Sequence, residues 1–428
     1  MLEQKIMSAC FLTGLNFTFI FASWWWPQYW YIYFPFICLP LALNVCIIIS
    51  ITFFYLRYLI FPERKVIPDT PENIIYVLAC YNETPEECTK SLDSLVAQTN
   101  ISNHKQGIMI ICDGKVRGPG MEKTTAASLL EDILINPTDR RIIRNAYTGW
   151  DGQPMDVEVS QGIYRNSLPF LCIVKQSNQG KRDSLIVIRS FLLKYNRRFT
   201  HPNQPMIFFP RFFKHMANWL SKKCFIPEVS CLIGMDCDTR FAPDCVTHLL
   251  DTARINPEKT HGVCGYVAVD FSVTSNWNLW SLYQSAEYSV AQGLRRLHQS
   301  IATKKVSCLP GCCQLLKITE ETCGDEILLV KFGYHPTPLD NMLKQIRATA
   351  SEDRNHVCLM LTEYPKVQTH QALFAKAYTD VPHSWSVFLS QRRRWTLGAT
   401  SNDLLLTLAW KTQWWERILA ASNVIIWS

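Results

Sequence analysis

Charge is scarce in this sequence: Asp, Glu, Lys and Arg make up 18% of 428 residues, while 48% are hydrophobic. A disordered chain needs the opposite balance, so that class is excluded, as are collagen-like repeats and small disulfide-stapled modules. No internal repeat is visible, which removes solenoids and propellers. The 17 cysteines are scattered, and no two stand in a CxxC pair, so a zinc ribbon has no support. Cys308, Cys312 and Cys313 form the one cluster; Cys38, Cys46, Cys80, Cys112 and Cys172 lie in apolar runs and read as buried free thiols in a reducing compartment. The net charge of +7 suits an anionic lipid surface or an anionic substrate and is too weak alone to argue nucleic acid.

What is present begins with apolar runs. The mean hydropathy of -0.01 lies between a soluble enzyme and a polytopic transporter, and points to a soluble domain on a few membrane anchors. Ile6 to Trp26 is apolar and uncharged, and Tyr29 to Leu56 is apolar again, broken by Pro35 and Pro40. Each is long enough to cross about 30 Å of hydrocarbon at ~1.5 Å per residue. A transmembrane hairpin over residues 1–60 is expected, in preference to a cleaved signal peptide. Trp24, Trp25, Trp26, Tyr29 and Trp30 would sit at the far interface. Arg57, Arg64 and Lys65 after the second run would keep Met1 and residues 74–402 on the cytosolic side.

Beyond Ile74 short β-like runs alternate with helical stretches, which predicts an α/β fold with a mostly parallel sheet and ligands at the strands' C-terminal ends. The expected strands are 73–79, 107–112, 170–174 and 228–235; the expected helices are 85–98 and 183–195. Residues 115–165 read as a loop-rich insertion. Residues 197–227 mix basic and aromatic side chains, consistent with a membrane-surface segment or a solvated insertion. The stretch from Leu404 to Ser428, with Trp410, Trp414, Trp415 and Trp427, reads as an interfacial helix leading into a third span.

Asp236-Cys237-Asp238-Thr239 ends an apolar strand. Two carboxylates at i and i+2 can share a divalent cation that neutralises a diphosphate leaving group, although a lone DxD is more often a turn. Asn178 to Ser184 lies between a strand and a helix, and Lys181 and Arg182 there can neutralise phosphate. The spacing is not that of a Walker A loop, and a charged helix cap remains the alternative. In Ser351-Glu352-Asp353-Arg354 an acid pair beside an Arg suits a general base, or else a surface charge cluster. Gln391-Arg392-Arg393-Arg394-Trp395 offers guanidinium forks for diphosphate and a ring for a sugar, or a membrane-surface anchor.

The order of these motifs is more specific than any one of them. YNE, CDG, GKRDS, DCDT, CLPGC, SEDR and QRRRW in succession resemble the chitin synthases, within the processive family 2 glycosyltransferases, over roughly residues 74–402. The resemblance implies a GT-A (Rossmann-like) catalytic domain over 61–350 with insertions, acceptor-side and interfacial helices over 351–402, and an interfacial or membrane helix over 403–428. It implies transfer of GlcNAc from UDP-GlcNAc, with inversion, to the 4-hydroxyl of a growing β-1,4-linked chitin chain. Tyr81 and Glu83 would contact the uracil, and Asp113 the nucleoside. Lys181 and Arg182 would hold the nucleotide side. Asp238 would ligate Mg²⁺ or Mn²⁺ with Asp236 in support. Asp353 would be the general base, supported by Glu352 through Arg354. Gln391 and Arg394 would bind acceptor and diphosphate, and Trp395 would stack beneath the terminal sugar. Gln284, Glu287 and Tyr288 resemble the family's Q-x-x-E-Y segment near the acceptor.

The implied partners are UDP-GlcNAc, the growing chain and the lipid bilayer, with no nucleic acid. The implied location is multi-pass in the plasma membrane or internal vesicles. The residue before Glu352 is Ser351, where the family has glycine. The family's later membrane helices and Trp-Gly-Thr motif have no counterpart before Ser428, so either the chain is a piece of a longer one or a homo-oligomer completes the channel. A hyaluronan-like synthase and a catalytically inactive synthase-like membrane subunit are the alternatives.

Overall fold

A computed structural model describes residues 2–61, 70–118, 120–202, 204, 206–272 and 277–427. Ten strands form one sheet: β1 (Asn73–Cys80), β2 (Lys105–Cys112), β3 (Asp139–Thr148), β4 (Pro154–Tyr164), β5 (Leu168–Lys175), β6 (Cys231–Asp236), β7 (Thr239–Phe241), β8 (Thr260–Val269), β9 (Gln314–Lys317) and β10 (Gln368–Thr379). Their order is β3-β4-β5-β2-β1-β6-β9-β8-β10-β7. The centre is parallel, β5 beside β2, β2 beside β1 and β1 beside β6. Strands β4 and β9 run antiparallel to both of their neighbours.

The helices that matter to the site are α1 (Leu2–Trp25), α2 (Trp30–Ile60), α3 (Pro85–Val96), α4 (Gly180–Asn196), α5 (Pro210–Lys222), α6 (Cys245–Arg254), α7 (Leu279–Val290), α8 (Met342–Thr349), α9 (Glu352–Glu363), α10 (Trp385–Leu408) and α11 (Trp414–Trp427).

Side chains of β1 alternate between two cores. Ile74, Tyr76 and Leu78 join Leu92 of α3 and Leu249 of α6 on one face. Ile75 and Val77 join Leu185 and Phe191 of α4, Trp219 of α5 and Met360 of α9 on the other. Burial on both faces explains why these central strands read as unbroken apolar runs. Helix α3 starts where the sequence dictates: the Thr84 hydroxyl accepts from the Glu87 N–H, Glu87 returns a bond to the Thr84 N–H, and Pro85 fills the first turn.

Several expectations are corrected. Residues 115–165 are not a loop-rich insertion, because β3 and β4 lie within them and form one edge of the sheet. Residues 197–227 are more than a solvated insertion: one face of α5 buries Phe212, Met216, Trp219 and Leu220 against the sheet, while Arg211, Lys214, Lys222 and Lys223 stay exposed. A boundary at residue 350 does not divide the fold, since β10 pairs with β8 in the same sheet.

At the N-terminus α1 and α2 form two consecutive helices joined by a 3-10 turn at Pro27–Tyr29. Among the described residues, Leu41–Ile60 is the one helical stretch long and apolar enough to cross a membrane. Met1, Arg64, Lys65 and Ser428 lie outside the described residues. Helix α2 meets the α/β body at Ser50, whose hydroxyl is 3.1 Å from a His298 ring nitrogen.

Candidate active site

The parallel strands β1, β2 and β6 deliver their C-terminal ends to one side of the sheet, where crevice ligands bind in this architecture. Tyr81 and Glu83 follow β1, Asp113 follows β2, Asp236 ends β6 and Asp238 comes two residues later. Helix α4, opened by Gly180 at φ +85°, brings in Lys181, and α9 brings in Glu352 and Asp353.

Lys181 is the hub. Its Nζ lies 2.7 Å from Asp236 Oδ1, 3.8 Å from Asp353 Oδ2 and 3.9 Å from Glu352 Oε1. Burial opposes its charge, but the Asp236, Asp353 and Glu352 carboxylates hold it protonated well above the usual lysine range. Burial, followed by the Asp236 carboxylate, pushes the Asp238 carboxyl up to about 7. The side-chain hydrogen bond recorded for Asp238 comes from the Thr239 hydroxyl, 3.1 Å away. Three acids around one ammonium, with a fourth raised beside them, form an acidic pocket with surplus negative charge. The Asp236–Asp238 pair fits a divalent cation, which would relieve that repulsion.

Asp353 is held asymmetrically. Its Oδ2 accepts from the Gly311 N–H at 2.9 Å, while its buried Oδ1 has no hydrogen-bond partner. Gly311 forms the floor: a Cβ there would stand 2.7 Å from Asp353 Oδ2 and 2.9 Å from Lys181 Nζ. Ser351, just before the acids, has φ +51°, the left-handed backbone that favours glycine. Its hydroxyl donates to the Arg394 carbonyl at 3.2 Å.

At the end of β2, where the sequence places the nucleoside contact, Asp113 is fixed from two directions. The fully buried Lys175 ammonium lies 2.6 Å from Asp113 Oδ1 and 2.9 Å from Asp183 Oδ2. The Gln179 N–H donates to Asp113 Oδ1 at 2.9 Å. Asp183 also accepts from the Tyr147 hydroxyl at 2.7 Å and the Trp150 N–H at 2.9 Å. Glu83 Oε2 accepts from the Tyr81 N–H at 2.6 Å, and burial pushes its carboxyl up to about 7. The Tyr81 side chain is exposed.

On the acceptor side Arg392 organises the QRRRW segment. It grips Glu287 with Nε at 2.9 Å from both carboxylate oxygens and Nη2 at 2.6 Å from Oε2, and it donates to the Gln391 side chain. Its guanidinium stands 4.3 Å from the Trp395 ring centroid. Trp395 is 40% exposed and lies 5.9 Å from the Tyr288 ring, so part of its surface remains open for stacking. Arg394 is exposed.

Three expected roles do not fit this geometry. Arg182 is turned away from the acids: it donates to the Phe332 and Arg347 carbonyls at 2.6 and 2.8 Å and to Asn355 at 3.1 Å. Its place is structural, since three protein acceptors take its donors. Arg354 supports neither Glu352 nor Asp353; it donates to the buried Asp403 at 3.2 Å. Gln284 is fully buried and donates to the Pro382 carbonyl at 3.1 Å, so its side chain offers no accessible surface. Lys175, Gly311 and Arg392 carry parts of the site that the sequence reading did not assign. CLPGC and QRRRW flagged the last two by position. Lys175, at the end of an apolar strand, had no motif to mark it.

The chitin synthase family model matches residues 58–148 and 171–411. Chitin synthase 8 of Gibberella zeae is 44% identical over 421 residues, covering 97% of this chain and 62% of the relative. Chitin synthase 8 of Verticillium dahliae is 39% identical over 449 residues, 99% of this chain and 72% of the relative. Chitin synthase E of Aspergillus fumigatus is 30% identical over 385 residues, 85% of this chain and 20% of the relative. The chain thus spans less than two thirds of the Gibberella protein and about a fifth of the Aspergillus one. Among solved structures, a mannosyltransferase from Pyrobaculum calidifontis in complex with GDP-Man and Mn²⁺ aligns with TM-score 0.45 at 11% identity, covering 91% of this chain and 80% of that one; at that score it bears on neither fold nor chemistry. The family match takes in every strand that ends in a site acid, the Gly311 floor, Asp353 and the QRRRW helix, and by that match the chain belongs to the chitin synthase family.

Proposed function

We propose that this chain is a membrane-attached inverting glycosyltransferase of GT-A fold, adding GlcNAc from UDP-GlcNAc to the 4-hydroxyl of a growing β-1,4 chitin chain. The observation that carries the proposal is the half-held Asp353 beside Lys181 and the Asp236–Asp238 pair. Inversion is one in-line displacement, needing one base, one stabilised leaving group and one positioned acceptor. Asp353 has one oxygen fixed by Gly311 and the other, buried and without a hydrogen-bond partner, left to take the acceptor hydroxyl's proton. Glu352 adds negative charge beside it. Lys181 keeps a positive charge against these acids and can follow charge onto the departing diphosphate. Asp113, braced by Lys175, is preset for the nucleoside, with Tyr81 and Glu83 toward the base. Trp395 offers its open surface to the terminal sugar, and Arg392 with Glu287 fixes the helix that carries it. Gln391 and Arg394 flank that stacking surface. Asp238 and Asp236 would hold Mg²⁺ or Mn²⁺, which neutralises diphosphate charge when bound.

The bilayer would be engaged first through Leu41–Ile60, with the catalytic body in the cytosol, where UDP-sugars are supplied. Incubating membranes that carry the chain with labelled UDP-GlcNAc and Mg²⁺ or Mn²⁺, then digesting with chitinase, tests the reading. A labelled polymer that chitinase degrades is the expected result. A polymer resistant to chitinase, or no polymer from a folded chain, overturns it.

A further inference from the structure

The turn that carries the metal-site aspartates has a thiol at its centre. Cys237 separates Asp236 from Asp238, Cys80 closes β1 and Cys88 lies in the first turns of α3. They are 0%, 2% and 1% exposed, and their sulfurs lie within 4.8 Å of one another. None forms a disulfide, and no other cluster of this kind occurs among the described residues. Cys237 Sγ donates to Cys88 Sγ at 2.8 Å. Thiolates sharing one metal ion, each about 2.3 Å from it, keep their sulfurs roughly 3.7–4.0 Å apart. The Cys88–Cys237 pair is already closer than that, on the way to the ~2.05 Å of a covalent S–S bond. The cluster therefore suits bond formation between two sulfurs better than a shared ion.

The same helix is tied to the same turn a second time. The Ser91 hydroxyl lies 2.7 Å from the Cys237 carbonyl and 2.6 Å from the Thr239 carbonyl. Helix α3 begins directly behind Tyr81–Glu83, so it links the base-side loop to the aspartate turn. Hydrogen bonding with the Cys237 and then the Cys80 thiol holds the Cys88 thiol below its usual range, against the opposing effect of burial.

We propose that Cys88 and Cys237 form a peroxide-sensitive modification site that closes to a disulfide and shifts the Asp236–Asp238 turn. The Cys88 sulfur attacks one oxygen of hydrogen peroxide. The O–O bond breaks, and the leaving hydroxide takes a proton to become water, giving a sulfenic acid. The Cys237 sulfur then attacks the Cys88 sulfur, the S–O bond breaks, and the second water leaves with the Cys237 proton. Two thiols lose two electrons and peroxide gains them. The sulfurs contract from 2.8 Å to about 2.05 Å, drawing the residue between the two aspartates toward α3. Disulfides in reducing compartments are characteristically transient sensors, which matches a pair left reduced and buried at rest.

The test treats the full-length chain in membranes with hydrogen peroxide, alkylates the remaining thiols and maps the peptides by mass spectrometry. A reductant-reversible Cys88–Cys237 cross-link is expected in the wild type and in Cys80→Ser, and is absent from Cys88→Ser. Free thiols at both positions after millimolar peroxide, a cross-link to Cys80 instead, or one equivalent of zinc bound by the isolated chain and released only with all three thiols would each overturn the site. The coupling arm rests on the proposed function: polymer synthesis should fall at least fivefold on oxidation, recover with reductant, and be insensitive in Cys88→Ser. A cross-link without that fall overturns the coupling. A cross-link in a chain that makes no polymer in either state leaves the thiol site standing and removes the synthase reading.

Discussion

Asp353 has one oxygen held by a backbone N–H and one buried without a hydrogen-bond partner, and that asymmetry sets what its substitution does. Asp353→Asn keeps the shape and removes the proton acceptor, so turnover should fall about 10²–10⁴-fold with UDP-GlcNAc affinity little changed. Initial rates and calorimetric donor binding check it; near-normal polymerisation would move the base to Glu352. Glu83 makes a pH prediction. Burial raises its folded carboxyl from 4.5 to about 7, so the folded state binds the extra proton and loses stability as pH rises through that window. Glu83→Gln removes the cost of ionising, so its melting-temperature gain over the wild type should be larger at pH 8 than at pH 5. Ser351→Gly relieves a left-handed backbone at the expense of one exposed hydrogen bond. Melting should rise or stay level, by an amount worth about 1 kcal/mol or less, with activity kept. A clear drop would mean the serine hydroxyl holds Arg394 in place.

Elements decide which parts of this site were legible in the sequence. Strands β1, β2, β5 and β6 are buried on both faces, so each is a run of apolar residues that stops at the crevice, and the acids after Cys112 and Met235 mark those stops. Strand β3 is mostly exposed, with Ile143, Ala146 and Tyr147 buried, and bulges between Ile143 and Tyr147, and β10 carries Gln368, His370, Gln371 and Lys376 among its apolar residues. Neither offers a continuous apolar signal. The roles of Lys175, Gly311 and Arg392 come from contacts with residues far away in the chain, which no local pattern encodes. Lys175 gives the prediction that belongs here. Lys175→Met would leave Asp113 and Asp183 buried against each other without their shared cation. Denaturant unfolding should report a loss of about 3–5 kcal/mol, and donor affinity should fall with it. An unchanged midpoint would mean that Tyr147 and the Gln179 and Trp150 N–H groups suffice.

At the scale of the molecule, the α/β fold class was legible; of the two expected spans the second overlaps Leu41–Ile60, the one helical stretch among the described residues long and apolar enough to cross a membrane, while the first falls on the 24-residue helix α1. Protease added to sealed vesicles should cut residues 74–402 if the body is cytosolic; full protection would reverse the topology. Excess chelator should stop polymerisation and weaken donor binding, as should Asp238→Asn, because both remove the charge that offsets the diphosphate.

The strand order has a consequence in time. Chains emerge from the ribosome N-terminus first, at about 5–20 residues per second. Leu41–Ile60 emerges while most of the body is still unmade. Strand β8 must wait for β10, and Lys181 and Asp236 wait for Asp353. The reaction centre closes only when a segment well over a hundred residues downstream of Asp236 arrives. A nascent chain therefore exposes its most apolar helix before its acid pocket can close.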